Sequence, residues 1–448
     1  MIVYPEGDPM LCSDFSSYTV GLITLGCKVN QYESEAIAER FAAEGFTLAH
    51  AEEGCDITVI NTCTVTAESD RKARQMIRRA ITANPDGYIL VTGCLSQTDP
   101  GQAAAISGVD FVCGNTDKQA VVEAAKRLVR QGHKNARAEV LHRSLDGSGF
   151  EEMTITRFDR TRAYIKIEDG CNRFCSYCII PYARGRVRSK SLEDLKAELI
   201  QVAANGYREV VLVGINLSAY GLDEDFDLAD AVECACSVDG IDRVRLGSIE
   251  PERMDKEMIA RLAAQPKFCP QFHLSLQSGC DNTLKAMNRH YNCAEYAEIV
   301  TNLRNAFENS SMTTDVMVGF AGETEEDFNA SLNFVKSIGF AKVHIFPYSR
   351  RKGTVADKAP NQIDPQIKEQ RAKIMEQVCD ETRREFLKEQ VGLCESVLVE
   401  RLRHGYLEGY TKNYTPVHIN CEDTSLCGKI IDVKITKSFD DYCDAELV

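Results

Sequence analysis

Three cysteines stand within eight positions of the stretch DGCNRFCSYCIIPYARG (169–185), with the spacing C-x3-C-x2-C. They are Cys171, Cys175 and Cys178. Three thiolates in a tight loop can hold a cubane iron–sulfur cluster, whereas a structural zinc site requires a fourth protein ligand nearby. The next cysteines, Cys234 and Cys236, lie in a predicted helix and share no loop with the trio. The spacing therefore favours an iron–sulfur centre with one open iron, able to bind a small molecule, over zinc or buried structural cysteine.

A second group of cysteines is spread over the first hundred residues, and each member follows a short apolar run. Cys27 ends LITLGC, Cys63 ends VINTC and Cys94 ends ILVTGC. In a doubly wound sheet the carboxyl ends of the strands share one crevice, so the three thiols can converge there. Cys113 competes for the same position, and Cys12 and Cys55 are spare cysteines. Position alone leaves open a second metal centre or three buried thiols.

The elements that must position these cysteines follow from hydrophobic periodicity. Strands alternate with amphipathic helices over residues 18–132, which predicts a parallel α/β sheet. A polar stretch then predicts a linker, and six further strand–helix units predict a partial (β/α)6 barrel. Ser191 with Asp194, and Thr324 with Asp327, predict the caps of two of its helices. Short alternating segments at the end predict a small antiparallel β-barrel. The predicted domains are 1–132, the linker 133–160, 161–385 and 386–448.

The composition limits the class of protein. The chain has 448 residues, 44% of them hydrophobic, with 19 cysteines and a net charge of −15. We expect reduced thiols or metal ligands in a cytoplasmic protein, because neither a secretory signal nor an apolar run long enough for a membrane span is evident. The negative charge argues against a protein that coats nucleic acid non-specifically, but it does not exclude a local basic site.

The cysteine spacing, with Tyr177 before the last cysteine, resembles the radical S-adenosylmethionine superfamily. That resemblance implies a [4Fe–4S] cluster whose open iron binds S-adenosylmethionine, which is cleaved to form a radical. It also implies that polar residues at the other strand ends hold this cofactor. Together with Tyr177, the candidates are Asn216, Ser248, Glu250, Ser275, Gln277 and Gly319. Each polar residue alone could equally cap the helix that follows its strand.

Further motifs, in order along the chain, resemble the methylthiotransferase family. They are TLGCKVNQYESE, INTCTVT, TGCLSQ, CNRFCSYCIIPYARG, HLSLQSG, DVMVGFAGET and FPYSRRKGT. The resemblance implies a second [4Fe–4S] cluster on Cys27, Cys63 and Cys94, and a C-terminal RNA-binding TRAM barrel. GCKVNQYE, NTCTVT and EGYTKNY resemble the branch acting on N6-threonylcarbamoyladenosine in tRNA. The isopentenyladenosine branch has Gln-Met-Asn where Lys28, Val29 and Asn30 stand here.

The family resemblance implies several partners. They are the anticodon loop of tRNA, an electron donor such as flavodoxin or ferredoxin, and a sulfur source, and we expect a monomer. The predicted barrel, 386–448, has seven basic and eleven acidic residues, so only a few of its residues can bind the RNA backbone. The candidate RNA contacts are Arg184, Arg186, Arg401, Arg403, Tyr410, Lys412 and Asn413. Arg188 and the basic segment RKARQMIRRA (71–80) are further candidates, although a basic helix face can simply be solvated.

Three alternative functions remain compatible with these patterns. The same chemistry could act on isopentenyladenosine in tRNA or on an aspartate of a ribosomal protein. A non-catalytic iron–sulfur module that binds RNA would share the cysteines but would not cleave S-adenosylmethionine. A structural zinc protein would differ in its metal content.

Overall fold

A computed structural model describes residues 15–158 and 160–448, so Cys12 lies outside the described residues. The chain forms two compact units. The first contains the described residues up to Met153 together with Tyr182–Arg184, and the second contains Thr154–Pro181 and Gly185–Val448.

The first unit is built on one parallel sheet covered by helices. Its strands are β1 (Thr19–Thr24), β2 (Thr47–Leu48), β3 (Ile57–Thr62), β4 (Tyr88–Gly93), β5 (Phe111–Cys113) and β6 (Glu139–Leu141). Its helices are α1 (Lys28–Ala43), α2 (Ala67–Ala83), α3 (Cys94–Thr98), α4 (Pro100–Ala104) and α5 (Ala120–Gln131). Strands β3 and β4 are buried at every position because helices cover both faces of a parallel sheet.

The strand order of this sheet is β2-β1-β3-β4-β5-β6, and every pair is parallel. This confirms the predicted parallel α/β sheet. The order reverses between β1 and β3, and ligands of such sheets bind at the carboxyl ends of the strands beside that reversal. The structure differs from the prediction at β6, which lies within the predicted linker 133–160. Residues Glu139–Leu141 pair with β5 because its edge would otherwise leave backbone groups unpaired.

The second unit begins with the cysteine loop and a curved sheet. Its first strands are β7 (Ala163–Lys166), β8 (Glu168–Asp169), β9 (Arg188–Ser189), β10 (Glu209–Val213), β11 (Arg243–Leu246), β12 (Ser248–Ile249), β13 (Gln271–Leu274), β14 (Ser311–Val318) and β15 (Lys342–Pro347). Its helices are α6 (Ile180–Arg184, whose last three residues belong to the first unit), α7 (Leu192–Ala204), α8 (Leu228–Ser237), α9 (Lys256–Ala263), α10 (Asp281–Ala286), α11 (Cys293–Ala306), α12 (Glu325–Ile338) and α13 (Pro365–Glu389). None of the helices in the described part of the chain combines the length and apolarity that a membrane crossing requires.

The strands form two parallel segments, β7-β10-β11 and β12-β13-β14-β15. Only Gly247 separates β11 from β12, and its amide donates to Leu212 O at 2.8 Å, so one bent strand joins the segments. Six parallel strands therefore follow one another in chain order, which confirms the partial (β/α)6 barrel. The predicted caps are also present: Ser191 accepts from Asp194 N at the start of α7, and Thr324 forms a capping box with Asp327 on α12.

A closed five-stranded barrel ends the chain. Its strands are β16 (Cys394–Arg403), β17 (Tyr406–Thr411), β18 (Pro416–Ile419), β19 (Ile430–Ser438) and β20 (Cys443–Leu447), in the order β16-β17-β18-β20-β19. The sequence predicted an antiparallel barrel. The structure differs at one pair, because β18 and β20 are parallel. Its core is formed by inward residues such as Val397, Leu407 and Ile435. The architecture is that of a TRAM-like barrel.

Candidate functional site

The first trio lies on a loop that leaves β8 and returns to β9, and these two strands pair as a short antiparallel ribbon. Cys171 N donates to Gly185 O at 3.0 Å, which closes the loop. Gly170 has φ +96°, and a Cβ there would lie 2.0 Å from Arg186 O. Only glycine allows the returning chain to pass so close to the start of the loop.

The three thiols of this loop are close together and partly buried. Burial raises the pKa of Cys171 to about 11 and that of Cys178 to about 12, and in both cases the charge of Cys175 raises it further. Three thiolates crowded in this way are unfavourable unless a cationic group binds them. The loop therefore has the donor set that an iron–sulfur cluster requires.

Hydrogen-bond donors from outside the loop point at these sulfurs. Asn216 Nδ2 lies 3.7 Å from Cys171 Sγ, and Arg289 Nη1 lies 3.4 Å from Cys175 Sγ. Donors to coordinated sulfur are the usual second layer of a cluster site. Among the described residues, Asn216 Oδ1 and Glu168 Oε1 are buried without a hydrogen-bond partner. These acceptors fit a small molecule that carries an amino group, as S-adenosylmethionine does.

Arg289 was missed by the sequence reasoning, although MNRHY carries a basic residue soon after the fourth strand of the partial barrel. Its side chain is 4% exposed and forms an ion pair with Glu250. It also donates to Ser275 O at 3.1 Å. Burial works against its charge, yet the Glu250 carboxylate holds the pKa of Arg289 well above its usual range. Arg289 therefore links two predicted cofactor residues to the Cys175 sulfur.

The remaining predicted cofactor residues have diverse surroundings. Tyr177 packs edge-on against Phe320 with ring centroids 6.3 Å apart. Ser248 is exposed on β12, whereas Gln277 follows β13 with φ +65°. At Gly319 the close approach comes from the chain itself, because a Cβ there would lie 2.4 Å from Lys368 Cγ.

The second trio lies at the carboxyl ends of β1, β3 and β4, three adjacent strands of the first unit. Gly26 has φ +109°, and a Cβ there would lie 2.9 Å from Cys63 Cβ, so glycine lets these two loops meet. Cys27 precedes α1 and Cys94 begins α3. The structure thus gathers the three predicted cysteines at the sheet edge where the strand order reverses.

The thiols of this trio influence one another. Desolvation by the surrounding protein raises the pKa of Cys27 to about 11, the Arg184 charge opposes this, and Cys94 raises it. Burial also raises the pKa of Cys63, with Cys94 again among the groups that raise it. Cys94 Sγ accepts from Asn115 Nδ2 at 3.5 Å. Three thiols at one sheet edge, with a hydrogen-bond donor on one sulfur, form a donor set of the kind that a cluster can use.

Asn30 ties together the loops that carry Cys27 and Cys63. Its Nδ2 donates to Leu25 O at 2.7 Å, after β1, and to Thr62 O at 3.0 Å, at the end of β3. Its Oδ1 accepts from Arg184 Nη2 at 2.6 Å and lies 3.8 Å from Cys27 Sγ. Asn30 thus fixes the distance between two strand ends and couples them to a buried cation.

The other cysteines near this edge have partners of their own. Cys113 Sγ donates to Thr92 Oγ1 at 3.3 Å, and burial raises the pKa of Cys113 to about 12. Cys55 Sγ donates to His50 O at 3.4 Å, next to the start of β3. Cys55 therefore lies at the opposite end of β3 from the trio, whereas Cys113 shares the trio's edge but is engaged by Thr92.

The predicted RNA contact at Arg184 is wrong, because its side chain is fully buried. It forms an ion pair with Glu33 and a hydrogen bond to Asn30. Arg188 is also buried and lies 3.4 Å from Asp169 Oδ2. Arg186, by contrast, is exposed and lies over the Phe174 ring at 4.8 Å. Alternate residues of one basic segment thus have opposite environments.

Three predicted RNA contacts of the C-terminal barrel instead attach it to the rest of the second unit. Tyr410 stacks on Tyr414 with centroids 4.5 Å apart, and the Arg162 guanidinium lies over both rings. Asn413 is buried and donates to Asn309 O at 3.0 Å. Lys412 Nζ donates to Pro266 O at 2.9 Å. Stacking on a cation engages Tyr410, and hydrogen bonds to other parts of the unit engage Asn413 and Lys412.

Only some of the predicted RNA contacts are exposed and can meet a polyanion. Arg401 and Arg403 are exposed on β16, and the Arg401 side chain is 62% exposed although it pairs with Glu408. On α2, four basic residues are exposed along one face: Arg71, Lys72, Arg78 and Arg79. These two surfaces and Arg186 are the accessible basic candidates among the predicted RNA contacts.

Each of the two parts of the chain that carry a cysteine trio matches a known protein family. Residues 165–335 match the Radical SAM superfamily, and residues 19–114 match the Uncharacterized protein family UPF0004. The solved structure of the radical S-adenosylmethionine methyltransferase TsrM from Kitasatospora setae has a similar fold, with a TM-score of 0.55 and 16% identity over 76% of this chain and 74% of that one. Membership of this superfamily implies that the chain uses S-adenosylmethionine and a [4Fe–4S] cluster.

Two curated relatives cover nearly the whole chain. The Threonylcarbamoyladenosine tRNA methylthiotransferase MtaB of Bacillus subtilis is 38% identical over 96% of both chains. The tRNA-2-methylthio-N(6)-dimethylallyladenosine synthase of Pelotomaculum thermopropionicum is 34% identical over 93% of this chain and 94% of its own. The chain therefore belongs to the radical S-adenosylmethionine methylthiotransferase family, within its MtaB-like branch.

Proposed function

We propose that the protein attaches a methylthio group to C2 of N6-threonylcarbamoyladenosine at position 37 of tRNA, next to the anticodon. The observation that carries this proposal is the pair of cysteine trios, each gathered at a strand end with hydrogen-bond donors on its sulfurs. One trio supports radical formation, and the second supports a sulfur-bearing centre. The 38% identity to MtaB over nearly the full length supports the modified adenosine as substrate.

The substrate explains why two such centres are required. The C2–H bond of adenosine is not acidic, so no side chain near neutral pH can remove that hydrogen as a proton. A radical route avoids this barrier. Bound clusters and S-adenosylmethionine supply the radical, the methyl group and the site for the transferred sulfur. The protein must then bind the modified base and exclude water from the reaction.

The residues of the second unit bind and orient the cofactor. Cys171, Cys175 and Cys178 would hold the first cluster, and Asn216 and Arg289 donate to the sulfurs of Cys171 and Cys175. The unpartnered acceptors Asn216 Oδ1 and Glu168 Oε1 are placed to receive the amino group of S-adenosylmethionine. The ion pair of Arg289 with Glu250 fixes both side chains beside Cys175. Ser248, Ser275 and Gln277 remain candidates at the ends of the neighbouring strands.

In the first unit, Cys27, Cys63 and Cys94 would hold the second cluster. Helix α1, which follows Cys27, carries a buried carboxylate, Glu33, that pairs with two buried cations, Arg184 and Lys118. This network carries one positive charge in excess, which suits the negative charge of a cluster bound by three thiolates. The role of Arg184 is therefore to position and balance charge rather than to contact RNA.

The RNA contacts proposed for this function are the exposed basic residues. They are Arg186, Arg401, Arg403 and the exposed face of α2. Because the anticodon loop is single-stranded, its base can leave the stack and enter an active site. A flavodoxin or ferredoxin as electron donor and an external sulfur source complete the reaction.

The second candidate function uses the same chemistry on isopentenyladenosine in tRNA. Its support is the 34% identity to the Pelotomaculum thermopropionicum synthase. Lys28-Val29 in the motif after β1 favours the threonylcarbamoyl branch, since the isopentenyl branch has Gln-Met there.

The deciding experiment is mass analysis of tRNA nucleosides from a strain that lacks this protein. We expect 2-methylthio-N6-threonylcarbamoyladenosine to disappear and to return when the gene is restored. A strain restored with Cys63→Ala should stay deficient. Loss of the isopentenyl product instead would assign the second function, and no change in either nucleoside would refute both. Purified protein should also convert S-adenosylmethionine to 5′-deoxyadenosine, which a non-catalytic RNA-binding module would not do.

A further inference from the structure

Two histidines and an aspartate that the proposed function does not use lie on three adjacent strands. His273 is on β13, Asp315 on β14 and His344 on β15. Asp315 is directly opposite His344, and His273 is opposite Thr313. Because alternate residues of a strand point to the same face, Thr313 and Asp315 share a face of the sheet. The three side chains therefore project from one face.

The spacing of their polar atoms fits a single metal ion. One ligand atom from each residue lies within 4.8 Å of the other two. His273 Nε2 and Asp315 Oδ2 are 3.4 Å apart. Two ligands that hold one tetrahedral zinc ion are about 3.3 Å apart, given metal–ligand bonds of about 2.0–2.1 Å. The measured separation agrees with that value.

The hydrogen bonds of His273 determine which nitrogen faces Asp315. Its Nδ1 lies 3.1 Å from Thr313 Oγ1. That hydroxyl accepts from Gln271 Nε2 at 3.2 Å and can give its own proton to Phe272 O at 3.5 Å. In the tautomer whose Nδ1–H donates to this hydroxyl, the Nε2 lone pair is directed at the Asp315 carboxylate. A ring nitrogen held this way by an outer partner is typical of histidine metal ligands.

A lone pair and a carboxylate oxygen at this distance repel each other unless a cation lies between them. A metal ion can take all three ligands at once. The side chains of His273 and Asp315 are 15% and 28% exposed, and His344 is exposed, so an ion can reach the group from solvent.

The face that carries the group continues towards the cysteine loop. Met317 lies two residues after Asp315 on β14 and packs in the same cluster as Tyr177 of that loop. Gln277 N, at a predicted cofactor position, donates to Asp315 O at 2.9 Å. The group therefore lies on the surface that leads to the radical-forming site, within the same unit.

We propose that His273 Nε2, His344 and the Asp315 carboxylate bind one divalent first-row transition-metal ion. Two imidazoles and one carboxylate form a mixed nitrogen and oxygen donor set that suits zinc, iron(II) or manganese(II). Three protein ligands leave at least one coordination position for water or for an oxygen atom of another molecule. This inference does not depend on the identity of the tRNA substrate.

The test uses zinc and the full-length protein with its iron–sulfur clusters reconstituted anaerobically, so that the cluster cysteines do not compete for zinc. After equilibration with zinc and removal of the unbound metal, zinc and iron are measured in the same sample. We expect about one zinc per chain beside the full iron content. His344→Gln and Asp315→Asn should each weaken zinc binding by more than about tenfold and leave iron unchanged. The matched control is His404→Asn, which changes an exposed turn histidine with φ +51°.

Because His344 is exposed, His344→Gln carries the test even if Asp315→Asn lowers the iron content by disturbing the fold. Thr313→Val gives a second measurement, since it removes the hydroxyl that contacts His273 Nδ1 and leaves the three proposed ligands in place. It should weaken zinc binding by about 10–100-fold, and Thr313→Ser should restore it. Absence of zinc from the unmodified protein, or equal zinc content in His344→Gln and His404→Asn, would overturn the metal site.

Discussion

Arg184 and Glu33 form a fully buried, two-pronged ion pair, with Nη1–Oε1 at 2.5 Å and Nη2–Oε2 at 3.0 Å. Glu33 is also paired with Lys118 at 2.9 Å. The charge of Arg184 lowers the pKa of Cys27, against the larger effect of desolvation. An arginine that the sequence placed in a basic, RNA-facing segment thus belongs to the cysteine site of the first unit.

The first prediction concerns this pair. Arg184→Ala leaves Glu33 without its two-pronged partner, which should destabilise the first unit by about 3–5 kcal/mol. We also expect the iron content of reconstituted protein to fall from about eight to about four per chain. Denaturant unfolding and iron analysis measure the two effects. Arg186→Ala, two positions along and exposed, is the control that should retain both stability and iron. Full iron content in Arg184→Ala would remove Arg184 from the second cluster site.

The second prediction concerns the ligands of the second cluster. Cys63→Ala should lower the iron content from about eight to about four per chain, because one of three ligands is lost. Cys113→Ala should retain about eight irons per chain, since the Cys113 thiol is hydrogen-bonded to Thr92 instead. Iron and sulfide analysis after anaerobic reconstitution compares the two variants. If Cys113→Ala lost iron and Cys63→Ala did not, the ligand assignment would have to be exchanged.

The third prediction concerns Arg289, whose Nη1 lies 3.4 Å from Cys175 Sγ. Arg289→Gln removes a positive charge beside the first cluster, so the reduced and more negative state loses stabilisation. We expect a more negative midpoint potential and slower cleavage of S-adenosylmethionine, with the iron content retained. A redox titration followed by electron paramagnetic resonance measures the potential. Lys285→Gln, at an exposed position of α10, is the matched control, and an identical potential in both variants would contradict the prediction.

The fourth prediction separates attachment of the C-terminal barrel from binding of tRNA. Tyr414→Ala removes a stacked ring and two cation–π contacts, so it should lower stability by about 2 kcal/mol or more. Arg401→Ala combined with Arg403→Ala should leave the melting temperature unchanged, because exposed ion pairs contribute little.

The double variant should instead weaken tRNA binding. A plot of the logarithm of the binding constant against the logarithm of the salt concentration should become less steep, with its slope smaller by about two. Titrations of tRNA at several salt concentrations measure that slope. An unchanged slope would show that these arginines do not contact phosphate.

The sequence by itself determined the elements and the cysteine chemistry. Periodicity predicted the parallel sheets, and cap residues such as Ser191 and Thr324 marked where helices begin, because these signals act within a few residues. The position of Cys27, Cys63 and Cys94 after successive strands predicted that they meet, since parallel strands end at one edge.

Only the tertiary structure decided which polar residues face solvent and which face one another. Arg184 and Arg186 are equally basic in sequence, yet one is buried in an ion pair and the other is exposed. Tyr410 was predicted to contact RNA and instead stacks beneath Arg162, a residue almost 250 positions earlier. His273, Asp315 and His344 came together through strand register across three strands. Such contacts depend on long-range packing, which spacing along the chain does not encode.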